Sequence, residues 1–221
     1  MRNIAVAIDG PAAAGKSTIA KRVAKILGYV YIDTGAMYRS VTWYALKKGI
    51  DCQDEQAVCA LMDEVTIEMR PDGTVICCDE DVTHAIRTTE VAKNVSYVAS
   101  YKDVRLALVE LQREMAKSVS VIMDGRDIGT YVLPDAEVKI FQIASVEERA
   151  RRRYEENIEK GIACELKQIE LDLIRRDKID SSRAFAPLLP SEDSILLDTS
   201  TMSIEEVVNK VIEIIKERIG E

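Results

Sequence analysis

The clearest chemistry in this chain lies in one run, Gly10-Pro11-Ala12-Ala13-Ala14-Gly15-Lys16-Ser17, followed by Thr18. It fits the pattern G-x4-G-K-[ST]. Glycines at the two ends let the backbone turn so that its N–H groups point inward at phosphate oxygens. A helix starting near Lys16 adds the positive end of its dipole. Lys16 then reaches the β and γ phosphates of a nucleotide, and the Ser17 hydroxyl is placed for Mg²⁺. A chance glycine-rich turn lacks the context seen here, a buried strand before the run and a helix after it. The run therefore implies nucleotide phosphate binding without naming what receives the phosphate.

Two further groups could serve phosphate chemistry. Asp124 ends an apolar run, as a carboxylate that holds Mg²⁺ through water would, or as a cap for the turn that follows. Guanidinium forks suit the planar oxygens of a phosphate better than ammonium groups do, and Arg39, Arg126, Arg176 and Arg183 sit beside loops or helix ends. Against them stands the ordinary fate of a surface arginine, a solvated ion pair. The stretch 146–160 carries Arg149, Arg151, Arg152 and Arg153, of which 149, 152 and 153 share one helical face. Glu147, Glu148, Glu155 and Glu156 also make it readable as a plain solvated helix.

Composition narrows the field. The 221 residues are 47% hydrophobic and 31% charged, with a formal net charge of −8. That balance fits a globular chain with a sizeable core, and it argues against a general nucleic-acid or membrane-surface binder. A single histidine, His84, excludes a Ser-His-Asp or multi-histidine metal site, and it reads as a surface residue. The five cysteines lack zinc-ligand spacing and read as free thiols, with Cys77 and Cys78 on opposite faces of a strand. No apolar run approaches the roughly 18 residues of a spanning helix, and no secretory signal is visible. These features lead us to expect a cytoplasmic protein.

The elements that must position these residues follow from periodicity. The apolar run at 4–8 and the segments at 119–123 and 138–143 read as buried strands, and 29–32 and 194–197 as short strands. Helical patterns fall at 16–27, 36–48, 90–118 in two pieces, 146–160, 164–178 and 203–219. Alternation at 65–69 and 74–78 around Pro71-Asp72-Gly73 reads as a β-hairpin insert. The sum is an α/β doubly wound core with five parallel strands.

Beyond the phosphate loop come Asp33-Thr34-Gly35-Ala36-Met37-Tyr38-Arg39, Ser96, Val104-Arg105, and Asp124-Gly125-Arg126-Asp127-Ile128-Gly129-Thr130. Arg176-Asp177, Asp180-Ser181, Arg183 and Ala186-Pro187-Leu188 complete the series. Taken in order and spacing, the chain resembles the bacterial cytidylate kinases over its whole length. Two departures are Ala13, where many relatives have glycine, and the absence of a proline before Val104-Arg105.

The resemblance implies a P-loop kinase core at 1–35 and 106–221, a nucleoside-monophosphate-binding domain at 36–105 with the hairpin, and a helical lid at 147–165. It implies that Arg39, Arg126 and Arg176 hold the acceptor phosphate or the transferring phosphoryl group. Asp180 and Arg183 fix the ribose, and Thr34 and Tyr38 line the pocket. Ser96, Arg105 and Asp127 meet at the base, and Arg152 and Arg153 swing over the ATP phosphates. The implied reaction takes ATP with Mg²⁺ and the small-molecule substrates CMP and dCMP, with no nucleic-acid or membrane partner, on a monomer. The nearest rivals are P-loop kinases for adenylate, uridylate or shikimate. A guanine-nucleotide switch would carry an Asn-Lys-x-Asp motif, which is absent.

Overall fold

Strand formation begins with Ala5–Asp9 (β1), whose residues from Val6 onward are buried on both faces, as a central parallel strand requires. The computed structural model describes residues 3–220. In chain order the longer elements are β1, Lys16–Leu27 (α1), Val30–Asp33 (β2), Thr34–Lys47 (α2), Glu55–Ala60 (α3), Ile67–Met69 (β3), Val75–Cys77 (β4) and Glu80–Asp81 (β5). Then come Thr89–Val98 (α4), Lys102–Ala116 (α5), Val121–Gly125 (β6), Val138–Ile143 (β7), Val146–Glu159 (α6), Leu166–Ser182 (α7), Ile195–Asp198 (β8) and Ile204–Ile219 (α8).

The chain divides into two compact units, 1–31 with 119–221 and 32–118. The first is built on a five-stranded sheet in the order β2-β6-β1-β7-β8. β1 pairs in parallel with β6 and β7, and β7 with β8. Val6, Ile8, Ile122, Val138 and Ile140 pack with Ile19, Val23, Val211 and Ile215 from α1 and α8. The register sets Ile8 beside Asp124 and Asp9 beside Gly125, so β1 and β6 release their loops together at the carboxyl edge. That edge is where ligands bind in open α/β sheets.

The second unit packs α2, α4 and α5 with a three-stranded antiparallel sheet, β3-β4-β5. Its core includes Met37, Val41, Val58, Ile86, Val98 and Val104. The hairpin at 65–78 thus has a third strand. β4 and β5 pair Cys77 with Glu80, joined through Cys78 and Asp79 at φ 48° and 64°. Two left-handed residues make the tight hairpin turn that usually carries Asn-Gly. The reading of Cys77 and Cys78 as neighbours on one strand is corrected accordingly: Cys77 ends β4, and Cys78 lies in the turn. All five cysteines are free, and no described helix is long and apolar enough to cross a membrane.

Candidate active site

The phosphate loop leaves β1 at Asp9 and enters α1 at Gly15, which has φ 91°. Gly10 has φ 148°, and a Cβ there would lie 2.0 Å from the Gln142 carbonyl oxygen, so only glycine fits. Ala13 takes φ 59° without being glycine, a conformation that costs an L-residue about 1–2 kcal/mol. No side chain caps the first turn of α1, which leaves its amides to a ligand. Lys16 is buried, and its Nζ donates to the carbonyls of Gly10 and Pro11, each at 2.8 Å. Burial first, then the positive charge of Arg126, pulls the Lys16 ammonium well below the usual lysine range. A polyphosphate bound here would offset both effects by favouring the charged ammonium.

Asp124 lies at the end of β6. It accepts from Ser17 Oγ at 2.9 Å on one oxygen and from the Tyr31 hydroxyl at 2.8 Å on the other. Among the described residues, no group of three or more His, Cys, Asp or Glu side chains is placed to hold a metal ion. Magnesium nonetheless fits the Ser17–Asp124 pair, because it takes oxygen ligands and keeps several waters and phosphate oxygens rather than a full protein cage.

Asp9 was not singled out from the sequence. Its two carboxylate oxygens accept from the amides of Ile128 and Gly129 at 2.9 and 2.8 Å. This ties β1 to the wide helical turn Ile128–Val132 that follows Arg126 and Asp127. Burial pushes the Asp9 carboxyl up to about 6, against the two amide hydrogen bonds, with Asp127 adding to the rise and Lys16 opposing it.

The first unit gathers five of the acceptor-side residues. Asp180, buried on α7, accepts from Arg126 Nε at 3.0 Å and has Arg176 Nε at 4.0 Å. Burial pushes the Asp180 carboxyl up, but Arg126, Arg176 and Arg183 together outweigh it and hold the group below the usual carboxylate range. Arg183 Nη2 stands 3.7 Å from Asp127 Oδ1, and its Nε donates to the Ala186 carbonyl at 2.6 Å. Phe185 packs edge-on against Tyr131, with centroids 4.8 Å apart.

The second unit holds the other set. Asp33 caps α2 by accepting from the Ala36 amide at 2.9 Å, and Arg39 Nη2 donates to both its oxygens at 3.2 and 3.0 Å. Arg87, missed in the sequence, joins the same carboxylate at 3.5 Å. Burial of Asp33 is again outweighed, by Arg39 and Arg87, so its carboxyl lies below the ordinary value. Arg105 is almost fully buried, donates to the Ala99 carbonyl at 2.9 Å, and lies 5.1 Å from the Tyr38 ring centroid. Thr34 and Ser96 are buried on α2 and α4.

On α6 the arginines separate. Arg152 Nη1 donates to the Ala14 carbonyl of the phosphate loop at 3.2 Å, and Nη2 to the Thr199 carbonyl at 2.7 Å. Arg153 instead pairs along its own helix with Glu156 at 3.5 Å. Arg149, on the same face but given no role from the sequence, is buried against the loop, its Nη1 donating to the Ala12 carbonyl at 3.1 Å.

Comparison with known proteins shows the family. A curated cytidylate kinase from Anoxybacillus flavithermus is 52% identical over 221 residues, covering 99% of this chain and 98% of its own length. One from Geobacillus sp. is 54% identical, covering 99% of each chain. Among solved structures, a gluconokinase from Sinorhizobium meliloti is similar with a TM-score of 0.51 at 12% identity, covering 98% of this chain and 94% of its own. That last likeness speaks for the fold alone. Residues 6–217 match the family described as cytidylate kinase, and the chain belongs to that family.

Proposed function

We propose that this protein transfers the terminal phosphoryl group of ATP to CMP and dCMP, giving CDP and dCDP. The observation that carries the reading is the array at the carboxyl edge of one sheet: the Lys16 loop, the Ser17–Asp124 oxygen pair, and three arginines around Asp180. An acceptor monophosphate has its second pKa near ~6, so it is mostly dianionic at neutral pH and needs no general base. The protein's task is to position both reactants and to spread positive charge over the phosphoryl in flight.

In this reading Lys16 and the loop amides hold the donor phosphates, and Ser17 and Asp124 hold magnesium. The ion, when bound, supplies further positive charge at the phosphate oxygens. Arg39, Arg126 and Arg176 hold the acceptor phosphate, with Asp33 and Asp180 keeping the guanidiniums oriented before it arrives. Asp180 and Arg183 serve the ribose as well. Asp127, Arg105 and Ser96 select the base. A carboxylate accepts from the N4 amino group of cytosine, whereas uracil sets its O4 acceptor against the same oxygens. A mispairing of about 1–3 kcal/mol corresponds to roughly ten- to a hundredfold in kcat/KM. Residues 36–105 make the monophosphate-binding part, and 147–165 a lid that excludes water during transfer. The reading includes a cytoplasmic monomer acting on free nucleotides, which suits a net charge of −8.

The test is ADP release with CMP, dCMP, UMP and AMP, on the unmutated protein and Asp127→Asn. CMP and dCMP should lead, with the variant weaker on CMP and less able to tell it from UMP. UMP or AMP used as well as CMP by the unmutated protein would overturn the base assignment.

A further inference from the structure

The phosphate loop is held from outside by its carbonyls. Lys16 takes those of Gly10 and Pro11. The carbonyl of Ala14 accepts from Gln142 Nε2 at 2.6 Å and from Arg152 Nη1 at 3.2 Å. The carbonyl of Ala12 accepts from Arg149. In a planar trans peptide the C=O and the next residue's N–H point in opposite directions. Tying the Ala12 carbonyl to Arg149 therefore turns the Ala13 amide away from α6, and tying the Ala14 carbonyl does the same for the Gly15 amide.

Arg149 does more than hold one carbonyl. Its side chain is 4% exposed. Nε donates to the Ala144 carbonyl at 3.0 Å, and Nη2 pairs with Asp177 Oδ2 at 2.7 Å. One guanidinium thus joins the end of β7, the phosphate loop and α7, the helix that carries Arg176 and Asp180. An ammonium cannot bridge three acceptors in that planar fan. The restraint matters here because the loop contains Ala13 in a left-handed conformation, from which it relaxes unless its surroundings oppose this.

We propose that Arg149 is a positioning residue for the donor phosphates. It keeps the Ala12–Ala13 peptide turned so that the Ala13 amide is offered to ATP, and it couples that orientation to α7 through Asp177. The proposal rests on the reading of this loop as the ATP site.

Calorimetric Kd values for ATP and for CMP, with melting temperatures, test it on the full chain, Arg149→Lys, Asp177→Asn, and Arg149→Lys combined with Ala13→Gly. Arg149→Lys should weaken ATP about tenfold while CMP changes less than about twofold. Asp177→Asn, which preserves the side chain's shape, should weaken ATP about threefold in the same selective way. Glycine at 13 removes the backbone strain and should restore part of the ATP affinity lost in Arg149→Lys. If Arg149→Lys does not fold, Asp177→Asn decides alone. Unmutated protein that binds no ATP would refute the donor reading itself. Unmutated protein that binds ATP, with variants that bind it equally well or lose ATP and CMP affinity in step with a falling melting temperature, would overturn only the role of Arg149.

Discussion

Ser17 and Asp124 meet through a 2.9 Å hydrogen bond although 107 residues separate them in sequence. The second oxygen of Asp124 is held by Tyr31, so the orientation of the carboxylate is set before any ligand binds. Asp124→Asn should leave the fold unchanged and raise the magnesium concentration needed for half-maximal activity by about 10- to 100-fold. The check is ADP release against free magnesium, together with magnesium titration of the ATP-bound protein by calorimetry. An unshifted magnesium dependence in both would remove Asp124 from the metal site.

Lys16 is a buried cation whose proton is loosened by burial and by Arg126. On the proposed reading, Lys16→Ala removes that charge from the phosphoryl path. Turnover should fall about 10²- to 10³-fold, with circular dichroism and melting temperature close to those of the unmutated protein. Near-normal turnover would sink the phosphate-loop assignment.

Asp9 offers a test of pH and stability. Its carboxyl rises from 3.8 to about 6 in the folded protein, so the folded state binds this proton more tightly than the unfolded chain does. The contribution to stability is fully present below about pH 4 and is lost as pH climbs through about 6. A rise of about two pKa units corresponds to roughly 3 kcal/mol. Denaturant unfolding at about pH 4 and pH 6.5 should show Asp9→Asn gaining on the unmutated protein by up to that amount at the higher pH. An identical pH dependence for the two proteins would contradict the raised carboxyl.

Motion can be followed by hydrogen exchange. Arg149 and Arg152 fasten the first turns of α6 to the carbonyls of Ala144, Ala12, Ala14 and Thr199. Amides at 149–153 should exchange slowly with or without nucleotide. Those at 154–165 should slow only when ATP and CMP are both bound. Equal exchange in free and bound protein across 154–165 would leave this segment a plain solvated helix end and loop.

The sequence by itself determined the phosphate loop, because its spacing is local: glycines, lysine and serine act within one turn and one helix start. It also determined the strands β1, β6 and β7, whose short, mostly apolar and β-branched runs are bounded by turn residues, and the family likeness carried by motifs in order. Short elements escaped it. β5 and α3 are too brief for periodicity to register, and the turn at Cys78 and Asp79 has no glycine to announce it. Only the tertiary structure decided which arginine meets which partner. Helix α6 carries charges nearly all round, so no apolar stripe says which side faces inward, and the choice of Arg152 with Arg153 left out Arg149, whose contact with Ala12 spans 137 residues. Asp33 likewise meets Arg87 across 54 residues. Such pairings depend on how separate elements pack, and pattern along the chain does not carry that information.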